Sequence, residues 1–316
     1  DTHVTTARVS LGLAPRAGSA RVTLPPHVRV DAEPGDDASL LLHGERADVE
    51  TFSGVVVAVD RDLDRTTVTL VDALGRLARS RPGTTFEQQT AAAIIAALAD
   101  EEGIPTGSIE ADTELLSYVA DQGRTALEHT ARLAGWAGAW ASSAPDGGLT
   151  VAPLPTGPAE RALRYGREIA ALRVRRRETG ADVVWAGSGP AGNVAAPDAH
   201  VHTTTVLPDG APGPAPRTRR VPAPALRTPA AATDAIAAAA TRNSGARLVA
   251  TCWLQPEIRP GASIEIADAP QPDSLGPWFV TSVTHQLGPG PRGVTRIEAD
   301  RLGQGGGLLD DLGGLL

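Results

Sequence analysis

The 316-residue chain contains a single cysteine, no methionine and no lysine, and only ten of its side chains are aromatic. Cys252 alone can form neither an internal disulfide nor a thiolate cluster, which excludes a disulfide-stapled scaffold and a cysteine zinc site and fits a reducing compartment. No apolar run approaches the roughly 20 residues needed to cross a bilayer, and residues 1–13 lack the basic-then-apolar order of a secretory signal. These absences predict a soluble chain made in the cytoplasm and no direct membrane insertion. The missing methionine implies that an initiator precedes Asp1, and a removed leader stays open. The formal net charge is −8, and every basic residue is arginine. Without a basic balance or basic–aromatic interleaving, nucleic acid is not an expected partner. The same aromatic scarcity argues against a carbohydrate-stacking platform.

What is present is mostly strand. The length predicts about two domains, each able to bury its own core. Residues 4–77 alternate apolar and polar in short runs separated by turns, Pro34-Gly35 among them, and the acidic turn 60–65 joins 52–60 to 66–71 as a hairpin. A helix is expected over 86–102, with Thr84 and Glu87 at capping-box spacing and a buried stripe of Ile94, Ile95 and Leu98. A second is expected over 125–133, followed by a hairpin around Pro145-Asp146-Gly147-Gly148. Strands resume at 171–177 and 182–186. The stretch 187–229, dense in proline, glycine and alanine, is expected to be a long loop, and an alanine-rich helix follows over 230–242. The last strands, 247–254, 263–267, 278–286 and 293–300, repeat the first in order. Pro260-Gly261 mirrors Pro34-Gly35, Phe279 mirrors Phe52, and 294–297 mirrors 66–70, which suggests two copies of one β-domain around an insert.

The fold class expected is therefore mainly β with an α+β insert: two antiparallel β-barrel domains and a small helical and hairpin unit. The divisions are 1–80, 81–160, 161–302 with the Pro-rich loop 187–229, and a Gly/Leu tail at 303–316.

No catalytic, cofactor or metal site emerges. Gly187-Ser188-Gly189-Pro190-Ala191-Gly192 matches a dinucleotide fingerprint in spacing, but Pro190 and Pro197 prevent the helix whose N-terminal amides would face a pyrophosphate. Asp60, Asp62 and Asp64 copy the start of a calcium loop, yet Arg65 and Val71 occupy the positions that need Gly and a bidentate Glu. His200 and His202 share a face but lack the third and fourth ligands a zinc ion needs. His285 is expected to be structural, with one tautomer able to satisfy a neighbouring carbonyl, Cys252 is expected to be a buried thiol, and Ser188 has no nucleophile-elbow glycine two residues before it. Asp100, Glu101 and Glu102 end a helix where its dipole disfavours them, and Asp146 sits in a turn; only these could supply an acid. Arg173, Arg175 and Arg177 alternate onto one strand face, where salt-bridge partners are the expected role.

Four segments, taken in order, resemble a known family: Phe52-Ser53-Gly54-Val55 with its hairpin; Thr125-Ala126-Leu127-Glu128 through Leu133-Ala134-Gly135-Trp136 to Asp146-Gly147-Gly148-Leu149; the alanine-rich helix after Arg220-Val221-Pro222; and Pro260-Gly261 through Phe279-Val280-Thr281-Ser282-Val283-Thr284-His285. Together they are similar to the phage late control D family, the central baseplate hub of contractile tails, related to the hub portion of VgrG spikes. The resemblance spans residues 4–301. It implies two tail-tube-like barrels per subunit and a homotrimer whose six barrels adapt a six-fold inner tube to a three-fold spike. It also implies a structural rather than enzymatic role in the baseplate of a phage-tail-like particle assembled in the bacterial cytoplasm. The implied partners are an inner tube protein, a separate spike protein and neighbouring baseplate proteins, with no cofactor. Unlike VgrG, no spike domain follows Arg301, so Leu308, Leu309, Leu312, Leu315 and Leu316 are the candidate partner-docking residues. The acidic balance further predicts an inner wall without a basic lining. The alternatives are a baseplate-associated cell-wall hydrolase and a receptor- or polysaccharide-binding tail protein.

Overall fold

A computed structural model describes residues 4–45, 47–176, 183–187, 202–206, 218–242, 245–288 and 293–302 of the chain. The first unit comprises β1 (Thr6–Gly12), β2 (Ser19–Leu24), β3 (Asp37–His43), β4 (Asp48–Arg61) and β5 (Thr66–Val71). Alternation sorts its faces. In β1, Ala7, Val9 and Leu11 are buried while Arg8 is exposed, so a two-residue period in sequence becomes one wet and one dry face. The dry face gathers Val9, Leu11, Ala20, Phe52, Val56, Val68 and Leu70 into one core.

The insert follows: α1 (Ala73–Leu77), β6 (Thr84–Thr90), α2 (Ala91–Asp100), β7 (Thr106–Ile109), β8 (Glu114–Ala120), α3 (Ala126–Trp136), β9 (Ala139–Ser143) and β10 (Leu149–Pro153). The helix expected over 86–102 is half strand. Residues 84–90 have no helical apolar period and pair antiparallel with β8, so the cap is Thr90, whose Oγ1 accepts from Ala93 N at 3.2 Å, not Thr84. Ile94, Ile95 and Leu98 are buried as the stripe required. The capping box lies one helix on, at Thr125 and Glu128, where Oγ1 accepts from Glu128 N and the Glu128 carboxylate accepts from Thr125 N at 2.7 Å. The 145–148 turn forms as expected, with Gly147 at φ +86°.

After β11 (Arg161–Arg164) and β12 (Ile169–Arg176), the chain returns to the insert through β13 (Val183–Gly187), β14 (His202–Val206), β15 (Thr218–Pro222) and α4 (Pro229–Thr241). The loop expected over 187–229 is thus corrected where it is described: β13 pairs with β14 and β15 as a three-stranded sheet. Val184, Ala186, Leu226, Ala231 and Ile236 join the insert core beside Leu133 and Leu149. Composition misled here because alanine and proline bury little area alone yet pack closely once a preformed core receives them.

The last unit adds β16 (Ala246–Trp253), β17 (Ser263–Ala267), β18 (Gly276–Leu287) and β19 (Gly293–Asp300), around a core containing Leu163, Ile169, Leu248, Trp278, Val283 and Ile297. Its connectivity repeats the first unit. The strand order is β1-β2-β5-β4-β3 in one and β12-β16-β19-β18-β17 in the other. The hydrogen bonds repeat as well. Gly35 N donates to Val56 O and Val56 N to Asp36 O, both at 2.9 Å, while Gly261 N donates to Val280 O at 2.8 Å and Val280 N to Ala262 O at 2.9 Å. Both glycines have positive φ, +108° and +95°, which a side chain resists. The long strands carry the same bulge, between Val56 and Ala58 in β4 and between Val280 and Ser282 in β18. This alignment equates Phe279 with Val55, so pairing Phe279 with Phe52 is wrong by three residues.

The two units form one eleven-stranded sheet because β1 pairs antiparallel with the second half of β18, from Ala7 opposite Leu287 to Gly12 opposite Ser282. Its path ends at β12 on one side and β3 on the other.

Candidate functional site

Three nodes of polar groups, two of them buried and one at the surface, hold this architecture, and none of them was visible in the sequence. The first is Arg259, which approaches all three parts of the chain. Its Nη1 donates to Thr51 O of β4 at 2.8 Å and its Nη2 to Ser143 O of β9 at 3.0 Å. Beside it Asp72, 1% exposed, caps α1: Oδ1 accepts from Gly75 N at 2.9 Å and from Gly18 N at 3.0 Å. Oδ2 has no hydrogen-bond partner among the described residues. Burial raises the Asp72 carboxyl above its ordinary value, and the backbone donors and Arg259 oppose that shift. Only Gly18 leaves room, since a Cβ there would lie 2.1 Å from Oδ2.

The second node is Glu298 on β19. Its carboxylate takes Arg16 of the β1–β2 turn at 3.1 Å and Arg247 of β16 at 2.5 Å, and Arg296 lies at 3.8 Å. Burial pushes this carboxyl up, but the Arg16 hydrogen bond and the charges of Arg247 and Arg16 outweigh it and hold it below the usual range. Arg16 also donates to Ser282 Oγ at 3.1 Å, so this node fastens the first unit's hairpin across the β1–β18 seam.

The third lies inside the insert. Tyr118 OH and His129 Nδ1 are 2.7 Å apart, and His129 Nε2 lies 3.0 Å from Asp121 O. The carbonyl can only accept, so Nε2 carries the proton and Tyr118 donates to Nδ1. Burial pushes the Tyr118 phenol up to about 12, which makes it a structural donor at neutral pH.

The residues weighed from sequence do not converge. Asp60, Asp62 and Asp64 line an exposed hairpin end, where Asp62 N donates to Arg65 O and Arg65 lies 3.5 Å from the Asp62 carboxylate. Among the described residues no group of three or more His, Cys, Asp or Glu is placed to hold a metal. Asp100 ends α2, Glu101 caps it and Glu102 follows, all outside the described clefts, and Asp146 Oδ1 accepts from Gly148 N within its turn. Cys252 is buried and its thiol is pushed up to about 12 by burial, so it is unreactive. His285 is fully buried and paired with Thr295 Oγ1 at 2.9 Å; burial pushes its pKa down to about 4, keeping it neutral. Gly187 closes β13, His202 opens β14, and Ser188, Gly189, Pro190, Ala191, Gly192, His200 and Arg177 lie outside the described residues. So do Leu308, Leu309, Leu312, Leu315 and Leu316.

Two surfaces remain. A cleft of about 440 Å³ lies between the insert and the last unit, with Trp140, Phe279, Leu13, Leu154, Arg242 and Leu302 in its lining. The wet face of the sheet bears Arg8, Arg21, Arg173, Arg175 and Arg296, all exposed, among threonines and serines. The net charge of −8 gave no sign of this arginine cluster, which shares its face with Asp60, Glu298 and Asp300.

Comparison with known proteins agrees with this construction. The model of the phage tail baseplate hub (GPD) family matches residues 19–290. No curated protein sequence matches. Among solved structures, the chain is similar to a 43 kDa tail protein of prophage MuSo2 from Shewanella oneidensis, with a TM-score of 0.67 at 16% identity, covering 94% of each chain. It is similar to a tail protein from Neisseria meningitidis MC58, with a TM-score of 0.70 at 14% identity, covering 95% of this chain and 92% of that one. A component of the E. coli type VI secretion system gives a TM-score of 0.64 at 13% identity, covering 96% of this chain and 74% of that one.

Proposed function

The chain belongs to the phage tail baseplate hub family, whose members are structural, and from that premise we propose that it is a homotrimeric symmetry adaptor. Three copies bring six like β-units into a ring, which meets a six-fold inner tube on one side and a three-fold spike on the other. The observation that carries this reading is the internal repeat: two units that share a five-strand order, the same Gly–Val bond pair and the same bulge, joined in one sheet. A heterologous contact that repeats an internal one closes into a ring when the rotation permits. A two-fold repeat in each of three subunits converts three-fold into near six-fold symmetry.

In this reading the protein has no catalytic activity of its own and works at the baseplate beside tube and spike proteins, and the tail bearing Leu308, Leu309, Leu312, Leu315 and Leu316 docks the spike. If the basic sheet face turns inward, the inner wall is arginine-lined, contrary to what the net charge suggested. Solution mass together with particle imaging tests the assignment. A ring of three with near six-fold inner walls is expected; a monomer that stays monomeric with tube and spike proteins present, or one that clears peptidoglycan, would sink it. Removing residues after Leu302 should abolish spike attachment while leaving the ring intact.

A further inference from the structure

The repeat also says how neighbouring copies meet. Within one chain, the second half of β18 has neighbours on both sides: β19 pairs with Phe279 through Leu287, and β1 pairs with Ser282 through Leu287. Its counterpart in the first unit is β4 beyond Val56. There β5 pairs on one side as far as Arg61, but β3 stops at Val55, and among the described residues no backbone partner occupies the other side of 57–61. The counterpart of β1 is β12, which pairs with β16 and, among the described residues, ends the sheet. One free edge is therefore the vacant receptor of the internal seam and the other its unattached strand. Unpaired edges of this kind need cover.

We infer that β12 of one copy pairs antiparallel with the open half of β4 in the next, in the register of the β1–β18 seam. The register transfers without adjustment. Val56 matches Val280 through the shared glycine bonds and bulge, so Asp60 matches Thr284. Ser10 pairs with Ser19 and Val71 follows in that row; Arg175 pairs with Arg247 and Asp300 follows, so Arg175 matches Ser10. Ser10 faces Thr284 in the internal seam. Arg175 of one copy therefore faces Asp60 of the next, and Arg173, which matches Arg8, reaches the turn residue Asp62. All four side chains are exposed, and among the described residues Arg173 and Arg175 have no side-chain hydrogen bond or ion pair.

Chemistry at the two seams differs in the way their circumstances demand. The internal seam carries Ser10–Thr284 and Arg8–Gln286, pairs with no opposed charges, because a shared chain and the Glu298 node already bring its strands together. A seam between separate chains has to be found by diffusion and kept in register. Arginine facing aspartate supplies both, and arginine facing arginine discourages two β12 edges from pairing with each other.

This seam rests on the ring proposed above for its copy number, and cross-linking separates the two. Full-length protein carrying Arg175→Cys and Asp60→Cys is oxidised mildly or treated with a short thiol–thiol linker; native Cys252 is buried and stays silent. Covalent dimers and trimers should form from this pair, and at least tenfold less from the register-shifted pair Arg173→Cys with Asp60→Cys. In parallel, Arg175→Asp should weaken assembly at least tenfold at low salt, and adding Asp60→Arg should restore it. A trimer by mass that neither cross-links nor responds to the charge swap overturns this seam and leaves the ring. A chain monomeric even with tube and spike proteins overturns both.

Discussion

Replacing Arg259 by alanine is the most informative single change, because one guanidinium joins β4, β9 and the last unit. The variant loses donors to two carbonyls, Thr51 O and Ser143 O, and removes the positive charge beside the buried Asp72. A hydrogen bond involving a charged group contributes about 1.5–3 kcal/mol. Two such bonds, with a carboxyl left without its countercharge, place the loss at about 3–5 kcal/mol, as for breaking a buried pair. Denaturant unfolding followed by tryptophan fluorescence measures it. The pH dependence adds a second check with a definite sign. Asp72 has its folded pKa above its unfolded value, so the native state holds this proton more tightly and acidification favours it. Without Arg259 that pKa rises further, and His285, which Arg259 also depresses, recovers part of its basicity. Both changes make the variant's deficit smaller at pH 5 than at pH 7. A loss below about 1 kcal/mol, or a larger loss that is equal at both pH values, would refute the reasoning.

The two repeat glycines make a matched pair. At Gly35 an added Cβ meets nothing, so Gly35→Ala should cost only the strain of a positive φ, about 1–2 kcal/mol. At Gly261 the Cβ would lie 2.2 Å from the Trp140 ring, so Gly261→Ala should cost clearly more and blue- or red-shift tryptophan emission; equal losses in thermal unfolding would contradict the packing. His285, neutral in the fold with a pKa of about 4 against about 6.5 unfolded, contributes stability that is present above pH 6.5 and declines toward pH 4. That slope, up to about 3 kcal/mol over the window, should vanish from urea midpoints in His285→Gln. Thr125→Ala removes the Oγ1 acceptor of the capping box and should lower stability by about 1 kcal/mol, read from the shift in urea midpoint.

The sequence by itself determined each element that local chemistry controls. Two-residue alternation placed the strands of both outer units, the glycine of the 145–148 turn supplied its positive φ, and repeated Pro-Gly steps betrayed the duplication. In the sequence the metal, nucleotide and nucleophile motifs each lack a spacing or a partner that their chemistry requires, and Ser188 to Gly192 and His200 lie outside the described residues. Residues 84–90 went astray because a threonine cap can stand at Thr84 or Thr90, and only pairing with β8 chooses between them. Within 187–229 the described strands at 202–206 and 218–222 were missed because alanine and proline acquire packing value only against a core built elsewhere, here by Leu133 and Leu149. Tertiary structure alone decided what joins the parts. Asp72 and Arg259 are 187 residues apart and Arg16 and Glu298 are 282 apart, and no periodicity reports on a contact between such distant positions. The free halves of the sheet became visible in the same way, since an unpaired edge is a property of neighbours that a strand has or lacks.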